Sequence, residues 1–284
     1  MSTPTEATSV PEPTPTGSES SRTTAETVRL GVFYLALLAA AAMTVLFLTE
    51  LFTLLVVGWL PAVGAELGIH RLHVMGIAAV VATFLLGLFA QAYRPTRRVA
   101  AMWGAFAVIL VVTAGTLAYG VGRPEEVVPF FLITGIALLA HPAGRGLLRR
   151  GESYSPAMLA LVAVAAVPLL AFVANQVAIS GSASDPHYVE GHYVMMVGLA
   201  VAPLAYGLFA ALGFVGWRLA AWLAALPVTY YGAMSIAFPA QSGSTGAMWG
   251  AAAVVWAVAF VATAEYSRVA PDDATFRRET AGAN

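Results

Sequence analysis

Long apolar runs alternate with short polar breaks along most of this chain. A run of about 20 apolar residues spans the hydrocarbon core of a bilayer, and these runs are at least that long. The pattern predicts an all-α, polytopic membrane helix bundle with about eight transmembrane helices. The predicted segments are 29–60, 70–93, 98–120, 127–148, 156–180, 191–214, 217–238 and 246–266. The first is long enough for one tilted helix, or for a span that ends near Glu50 and continues as an interfacial piece.

The polar ends of the chain have a different composition. Residues 1–26 are rich in Thr, Pro, Ser and Glu, so they have little to bury and are expected to be a disordered cytoplasmic tail. The first arginine is Arg22 and the apolar run after it is too long for a signal peptide. Residues 267–284 form a second polar tail, also expected in the cytoplasm.

Arginine placement predicts the orientation, because cytoplasmic loops carry an excess of basic residues. With the amino terminus inside, the outer side receives only Arg71 and Arg123 among the 14 basic residues. This distribution requires an even number of spans. We therefore predict a plasma-membrane protein with both termini in the cytoplasm.

The sequence also matches a copy of itself at several positions when the copy is shifted by 120 residues. Val74-Met75 then falls on Val194-Met195, Gly87 to Ala90 on Gly207 to Ala210, and Arg98 on Arg218. This register predicts two parallel four-helix repeats, residues 27–150 and 151–266, related by an axis along the membrane normal. The alternative is a duplicated bundle whose halves share no site.

The amino-acid composition excludes several classes of protein, catalytic group and metal site. Hydrophobic residues make up 59% of the chain and charged residues 10%, far below the roughly 25% charged residues of soluble domains. The absence of cysteine excludes thiolate catalysis, zinc–thiolate sites and iron–sulfur clusters. All basic residues are arginine, which excludes a lysine nucleophile or Schiff base. The net charge of −1 argues against a nucleic-acid partner.

Histidines at the outer ends of two predicted helices are the first candidate site. Spacings of four and seven put Glu66, His70 and His73 on one helical face, and these three are candidate metal ligands. His192 starts the sixth predicted helix at nearly the height of His73 in the repeat. His70, His73 and His192 are therefore candidate ligands of a haem or a metal. The alternative is an interfacial patch that hydrogen-bonds to headgroups and water.

Prolines in the second half predict a polar cavity there. Pro168, Pro203 and Pro227 lie near the middle of three predicted helices, and each frees a backbone carbonyl that needs another donor. Polar residues follow in the outer halves of these helices, and they form a predicted ligand pocket: Asn175, Gln176, Tyr206, Thr229 and Tyr230. The alternative is ordinary proline kinks with hydrogen bonds between helices.

Three further polar residues fall within or beside the apolar runs. Glu50 is a predicted intramembrane acid, and such acids mark functional sites, unless the first span ends there. His141 and Gln91 stand at inner helix ends and are expected to be interfacial.

Four plus four helices with histidines at outer helix ends resemble the haem A synthase family. That family has a Glu-x-x-His-Arg signature at the outer start of its second helix, and Glu66 to Arg71 is similar with one extra residue. The family also has histidines where this chain has Val127 to Phe131 and Thr245 to Trp249, which contain none. The resemblance implies a haem held by His192 with His70 or His73, or by one histidine alone. The chain also resembles uncharacterised multi-pass membrane proteins of halophilic archaea.

Three functions are compatible with these patterns. The first is a haem- or metal-binding respiratory or assembly-type membrane protein with an outward-facing site. The second is a small-solute or ion transporter. The third is a structural accessory subunit that packs beside a partner in a membrane complex. Enzymatic activity is left open, and the only partner that the sequence itself implies is the lipid bilayer.

Overall fold

The computed structural model describes residues 23–149, 154–180 and 186–281, with side chains for all of these except 186 and 267–281. Helices and turns account for this part of the chain, which contains no β-strand. The all-α class is confirmed. The helices are α1 (Thr24–Phe47), α2 (Thr49–Val57), α3 (Pro61–Leu67), α4 (Arg71–Phe89), α5 (Val99–Tyr119), α6 (Pro124–Leu139), α7 (Pro156–Ser180), α8 (Pro186–Val189), α9 (His192–Ala211), α10 (Trp217–Ala237) and α11 (Ala247–Ala281).

Among the described residues, seven stretches are long and apolar enough to cross a membrane, and they include α1, α4, α5, α7, α9, α10 and the Ala247–Tyr266 part of α11. The fourth predicted segment, 127–148, is not among them. Its helix α6 has 16 residues, about 24 Å at 1.5 Å per residue, and a 3₁₀ turn over Gly144–Leu148 follows. The chain nevertheless returns through α6 to the end of the bundle where α1 begins, because Arg29 in the second turn of α1 donates to the carbonyl of Pro142 after α6.

The first apolar segment is not one helix, because it breaks at Leu48, where α1 ends and α2 begins. Threonine hydroxyls accompany the break: Thr49 donates to the carbonyl of Val45 and Thr53 to that of Glu50. Such side-chain bonds satisfy carbonyls where the helical ladder is interrupted. Glu50 lies in the first turn of α2 with an exposed side chain.

The arginines gather at one end of the bundle, here called the arginine end. Arg29 Nη2 donates to the carbonyl of Pro142 (3.5 Å) and Arg98 Nη1 to that of Ala90 (2.8 Å). Arg218 Nε binds Glu265 Oε1 at 2.7 Å. Among arginines whose side chains are described, only Arg71 and Arg123 lie at the opposite end, here called the histidine end, as the predicted distribution requires.

Four helices, α4, α5, α9 and α10, form the centre of the bundle. The fully buried Tyr206 of α9 fills the space between α4 and α5, and its hydroxyl donates to the carbonyl of Thr83 at 3.3 Å. Gly87 and Gly104 make this possible, since a Cβ at either position would overlap the tyrosine. Small residues at helix interfaces permit this close approach in membranes.

The two-half organisation remains a prediction. Two related halves would require reciprocal contacts, and the structure contains them: α5 packs on α9 and α10 packs on α4, while α6 packs on α5 and α11 on α10. This packing is compatible with parallel repeats 27–150 and 151–266.

His141 and Gln91 lie at the arginine end as expected, but they are fully buried between helices and do not face headgroups. His141 Nδ1 accepts a bond from the Ala143 amide (3.1 Å), so the ring proton is on Nε2, which donates to Gln91 Oε1 at 3.2 Å. Gln91 Nε2 in turn donates to the carbonyls of Gly87 and Arg98. A satisfied polar network of this kind explains why two polar side chains are tolerated in the core.

We predict that Gly104→Ala destabilises the protein by about 2 kcal/mol, because the added methyl group overlaps the buried Tyr206 ring. Gly135→Ala is the matched control, since its Cβ would meet only Phe106 Cε2 at 3.9 Å. Thermal unfolding in detergent measures both, and Tyr206→Leu in the Gly104→Ala background is expected to restore part of the loss. An unchanged melting temperature in Gly104→Ala would contradict this packing.

We also predict an acid-dependent loss of stability that depends on His141. Burial and the positive charge of Arg29 lower the pKa of His141 from 6.5 to about 4. The unfolded chain therefore takes up this proton first, and the free energy of unfolding decreases as the pH falls from 6.5 towards 4. His141→Gln removes this contribution, so its melting temperature is expected to fall less than that of the parent between pH 7.5 and pH 5. Equal falls in both proteins would show that His141 does not contribute.

Candidate metal centre

Four of the five histidines of the chain meet at the histidine end of the bundle. His70 ends the 3₁₀ turn Gly68–His70, and His73 lies in the first turn of α4. His187 belongs to the short helix α8, and His192 is the first residue of α9. Their ring centroids lie 4.2 Å apart for His70 and His187, 5.4 Å for His70 and His192, and 4.5 Å for His73 and His187.

Three of these imidazoles form a group that could hold a metal ion. His70, His187 and His192 each offer one ring nitrogen, and these nitrogens all lie within 4.8 Å of one another. The Nδ1 atoms of His70 and His192 are 3.5 Å apart. Two nitrogens bound to one tetrahedral zinc ion at about 2.05 Å would be about 3.3 Å apart. The observed separation is therefore close to that of two ligands of one ion.

Glu190 orients His192 within this group. Its Oε2 lies 3.0 Å from His192 Nε2 and 4.0 Å from His70 Nδ1. Because a carboxylate only accepts, this contact places a proton on Nε2 of His192 and the lone pair on Nδ1, the atom that faces His70. Carboxylates that fix the tautomer of a ligating histidine in this way are common around metals.

Backbone contacts hold the two histidine segments together. His187 Nε2 donates to the carbonyl of Ile69 at 3.4 Å, which places the lone pair of that ring on Nδ1. The amide of Gly122 donates to the carbonyl of Val189 at 3.0 Å. A Cβ on Gly191, which has φ of 72°, would meet the backbone of Gly122 at 2.8 Å. Glycine is therefore required where the loop before α9 crosses the loop after α5.

His73 lies deeper than the other three rings and is 4% exposed. Its Nδ1 is buried and has no hydrogen-bond partner within the described part of the chain. The loop between α10 and α11 covers the ring, and a Cβ at Gly243 would meet His73 Cε1 at 2.8 Å. Tyr231 and Gln241 fix this loop, through bonds to the carbonyls of Gly243 and Gly68.

The group is buried on most sides but is reachable at His70. His187 and His192 are 3% and 7% exposed, whereas the side chain of His70 is 27% exposed. Arg71 beside it is buried, donates from Nε to the carbonyl of Gly58 at 2.9 Å and stacks on Phe238.

A small cation fits this arrangement better than a haem held between two histidines. A haem shared by two imidazoles requires the rings on opposite faces of the macrocycle. Here the His70 and His187 rings stack at 4.2 Å, and His73 lies 4.5 Å from His187 on centroids. The His192 ring centroid lies 5.4 Å from that of His70 and 6.0 Å from that of His73, and a haem between His192 and one of these rings stays a prediction.

Glu66 does not join the histidines, although the sequence predicts it as a metal ligand on one face with His70 and His73. The helix α3 ends at Leu67, and Gly68 has φ of 52° and ψ of −126°. This left-handed residue interrupts the helical register on which the prediction depended. Glu66 is exposed, and the carboxylate beside the histidines belongs to Glu190.

The five residues of the predicted ligand pocket are dispersed, which corrects the expectation of a shared site. Tyr206 fills the helix centre, and Asn175 and Thr229 have exposed side chains. Tyr230 donates to the carbonyl of Leu55 at 2.8 Å, and Gln176 is buried. The kinked second half does contain a cavity of about 660 Å³, but its wall, which includes Pro168 and Pro227, is largely apolar and includes none of the five.

His187 and Glu190 are the site residues that the sequence prediction missed. Both lie in the connection before α9, between the predicted segments 156–180 and 191–214. A signal was present, since four of the five histidines fall within the two short stretches 70–73 and 187–192. Helical spacing alone did not detect it, because the ligands come from turns as well as helices.

Comparison of the chain with known protein families, with curated proteins and with solved structures finds no match. The resemblance to haem A synthases and to halophilic archaeal membrane proteins therefore stays an interpretation of sequence patterns. The fold and the site stand on their own geometry: a multi-pass helical membrane protein with a cluster of histidines at one end of its bundle.

Proposed function

We propose that this protein is a multi-pass membrane protein that binds one divalent transition-metal ion at its histidine end. The observation that carries the proposal is the group of three imidazole nitrogens, from His70, His187 and His192, within 4.8 Å of one another. The proposal keeps the metal alternative of the sequence analysis and replaces Glu66 and His73 in the ligand set by His187 and His192.

The surroundings of the three rings support binding of an ion over simple stacking of histidines. Glu190 and the carbonyl of Ile69 accept from the Nε2 atoms of His192 and His187, as outer-shell groups of metal sites do.

The three imidazole donors restrict which metal ions this site can bind. Imidazole ligands suit zinc, copper, nickel and iron, while magnesium and calcium prefer oxygen. Three protein ligands leave a fourth tetrahedral position open, as in catalytic zinc sites. The exposed edge of His70 is consistent with an open position, so a ligand or substrate could reach the ion.

The site faces outward in this proposal. The arginine end carries the side chains of Arg29, Arg98 and Arg218 among others, and by the positive-inside rule that end is cytoplasmic. Both termini then lie inside, and the histidine end lies at the outer surface of the plasma membrane.

Transport along the bundle axis is not favoured. The fully buried Tyr206 fills the space between α4 and α5 at the centre of the bundle. A role as an accessory subunit of a membrane complex is compatible with a metal site.

We predict that protein stripped with a chelator binds one Co²⁺ per chain with the intense visible absorption of a tetrahedral site. Cobalt is the probe because zinc has a filled d shell and no such spectrum. Binding at 100 times the dissociation constant would stabilise the fold by about 2.7 kcal/mol, so the melting temperature should rise. His187→Ala and His192→Ala should abolish the spectrum, and Glu190→Gln should weaken binding by about 10–100-fold.

The matched control is His141→Gln, which removes the one histidine at the opposite end and should leave Co²⁺ binding unchanged. The protein must be purified with a tag that contains no histidine. If the parent protein shows neither a tetrahedral spectrum nor a shift in melting temperature with Co²⁺, Zn²⁺ or Cu²⁺, the proposed function is wrong.

A further inference from the structure

We infer that the cavity beside the histidine group binds a neutral amphiphile from the membrane, whose hydroxyl-bearing head reaches Glu190 and the proposed ion. The cavity has a volume of about 310 Å³ and lies between α2, α4, α5 and α6, with His192 and Glu190 at one end. The contact of the head with the ion rests on the proposed function, whereas binding of the apolar body does not.

The apolar lining of the cavity favours binding of an apolar chain or ring. Leu48, Val80, Val108 and Phe130 are among the residues that line it. Val80, Val108 and Phe130 are at most 4% exposed, so the cavity extends into the core. A cavity lined by such side chains excludes water and binds apolar molecules. Val81 and Val127 also line it and are half-buried, so the wall is accessible from outside the core.

The polar end of the cavity selects a neutral head that donates hydrogen bonds. Arg123, Glu126, Glu190 and His192 lie there. Arg123 Nη1 already binds Glu126 Oε1 at 2.9 Å, so its charge is largely compensated, and Glu190 adds a further negative charge. Without an ion at the histidine group, this negative surplus would repel an anionic head, while a hydroxyl group can donate to a carboxylate in a strong, charge-assisted bond.

The larger cavity of the second half provides an internal comparison. Leu48, Val80 and Val108 line the smaller cavity, and Pro168, Ala200 and Val228 line the larger one. Each pair is separated by 120 positions, the displacement of the predicted repeat. No charged residue lines the larger cavity, so only the smaller one combines an apolar body with a charged end.

Photolabelling in nanodiscs of zwitterionic lipid tests the inference. The probes are a long-chain primary alcohol that carries a diazirine in its chain and a fatty acid of the same length, and labelled peptides are mapped by mass spectrometry. We expect the alcohol to label peptides of α2, α4 and α6 that line the smaller cavity, and to do so more strongly than the fatty acid. Excess unlabelled alcohol should compete.

Two cavity-filling variants make the test specific. Val108→Phe should reduce labelling of the smaller cavity about tenfold, equivalent to 1.4 kcal/mol of lost binding. Val228→Phe, at the matched position of the larger cavity, should leave labelling of the smaller cavity unchanged. Val81→Phe, at a half-buried lining position, is the second variant if Val108→Phe fails to fold in thermal unfolding. Labelling that survives both filling variants, or a fatty acid that labels as strongly as the alcohol, would overturn the inference.

Labelling of metal-free protein separates this inference from the proposed function. The alcohol should still label the cavity after chelation, and Glu190→Gln should reduce labelling with or without metal. If Co²⁺ does not bind but the alcohol labels the cavity, only the metal function fails. If Co²⁺ binds and the cavity is not labelled, only the amphiphile site fails.

Discussion

Because lipid gives helices no hydrophobic reason to associate, the central helices of this protein depend on close van der Waals contact. Gly87 and Gly104 leave room for the Tyr206 ring, and this contact sets how α9 lies against α4 and α5. The same helices carry His73 and His192 at their ends. A change in the distance between them would separate the histidines, so the packing at mid-depth controls the geometry of a site near the surface.

The histidine group belongs to neither half of the chain alone. His70 and His73 come from the first half, and His187 and His192 come from the second. The contact between the loops at Gly122 and Gly191 and the bond from His187 to Ile69 join them. A site built from both halves exists only when the halves are associated. Any ligand that binds all three rings therefore stabilises the assembled bundle.

The chemistry at the histidine end differs from that at the arginine end. At the arginine end, the single histidine, His141, is buried with both ring nitrogens bonded within the protein, so its role is structural. At the histidine end, outer ring nitrogens are fixed by Glu190 and Ile69 while other nitrogens converge. The two environments explain why one histidine stabilises a helix junction and the others are proposed to hold an ion.

The sequence by itself determined the membrane class, the helical segments and which loops carry arginine, because apolar length and charge placement follow directly from the order of residues. It also pointed to His70, His73 and His192. It did not determine that α1 ends at Leu48, that Gly68 turns Glu66 away, or that Tyr230 and Tyr206 bond to distant carbonyls in place of lining a pocket. The bonds of Tyr230 and Tyr206 join residues more than 100 positions apart, as does the contact between His70 and His192, and only the tertiary structure decides which distant side chains meet.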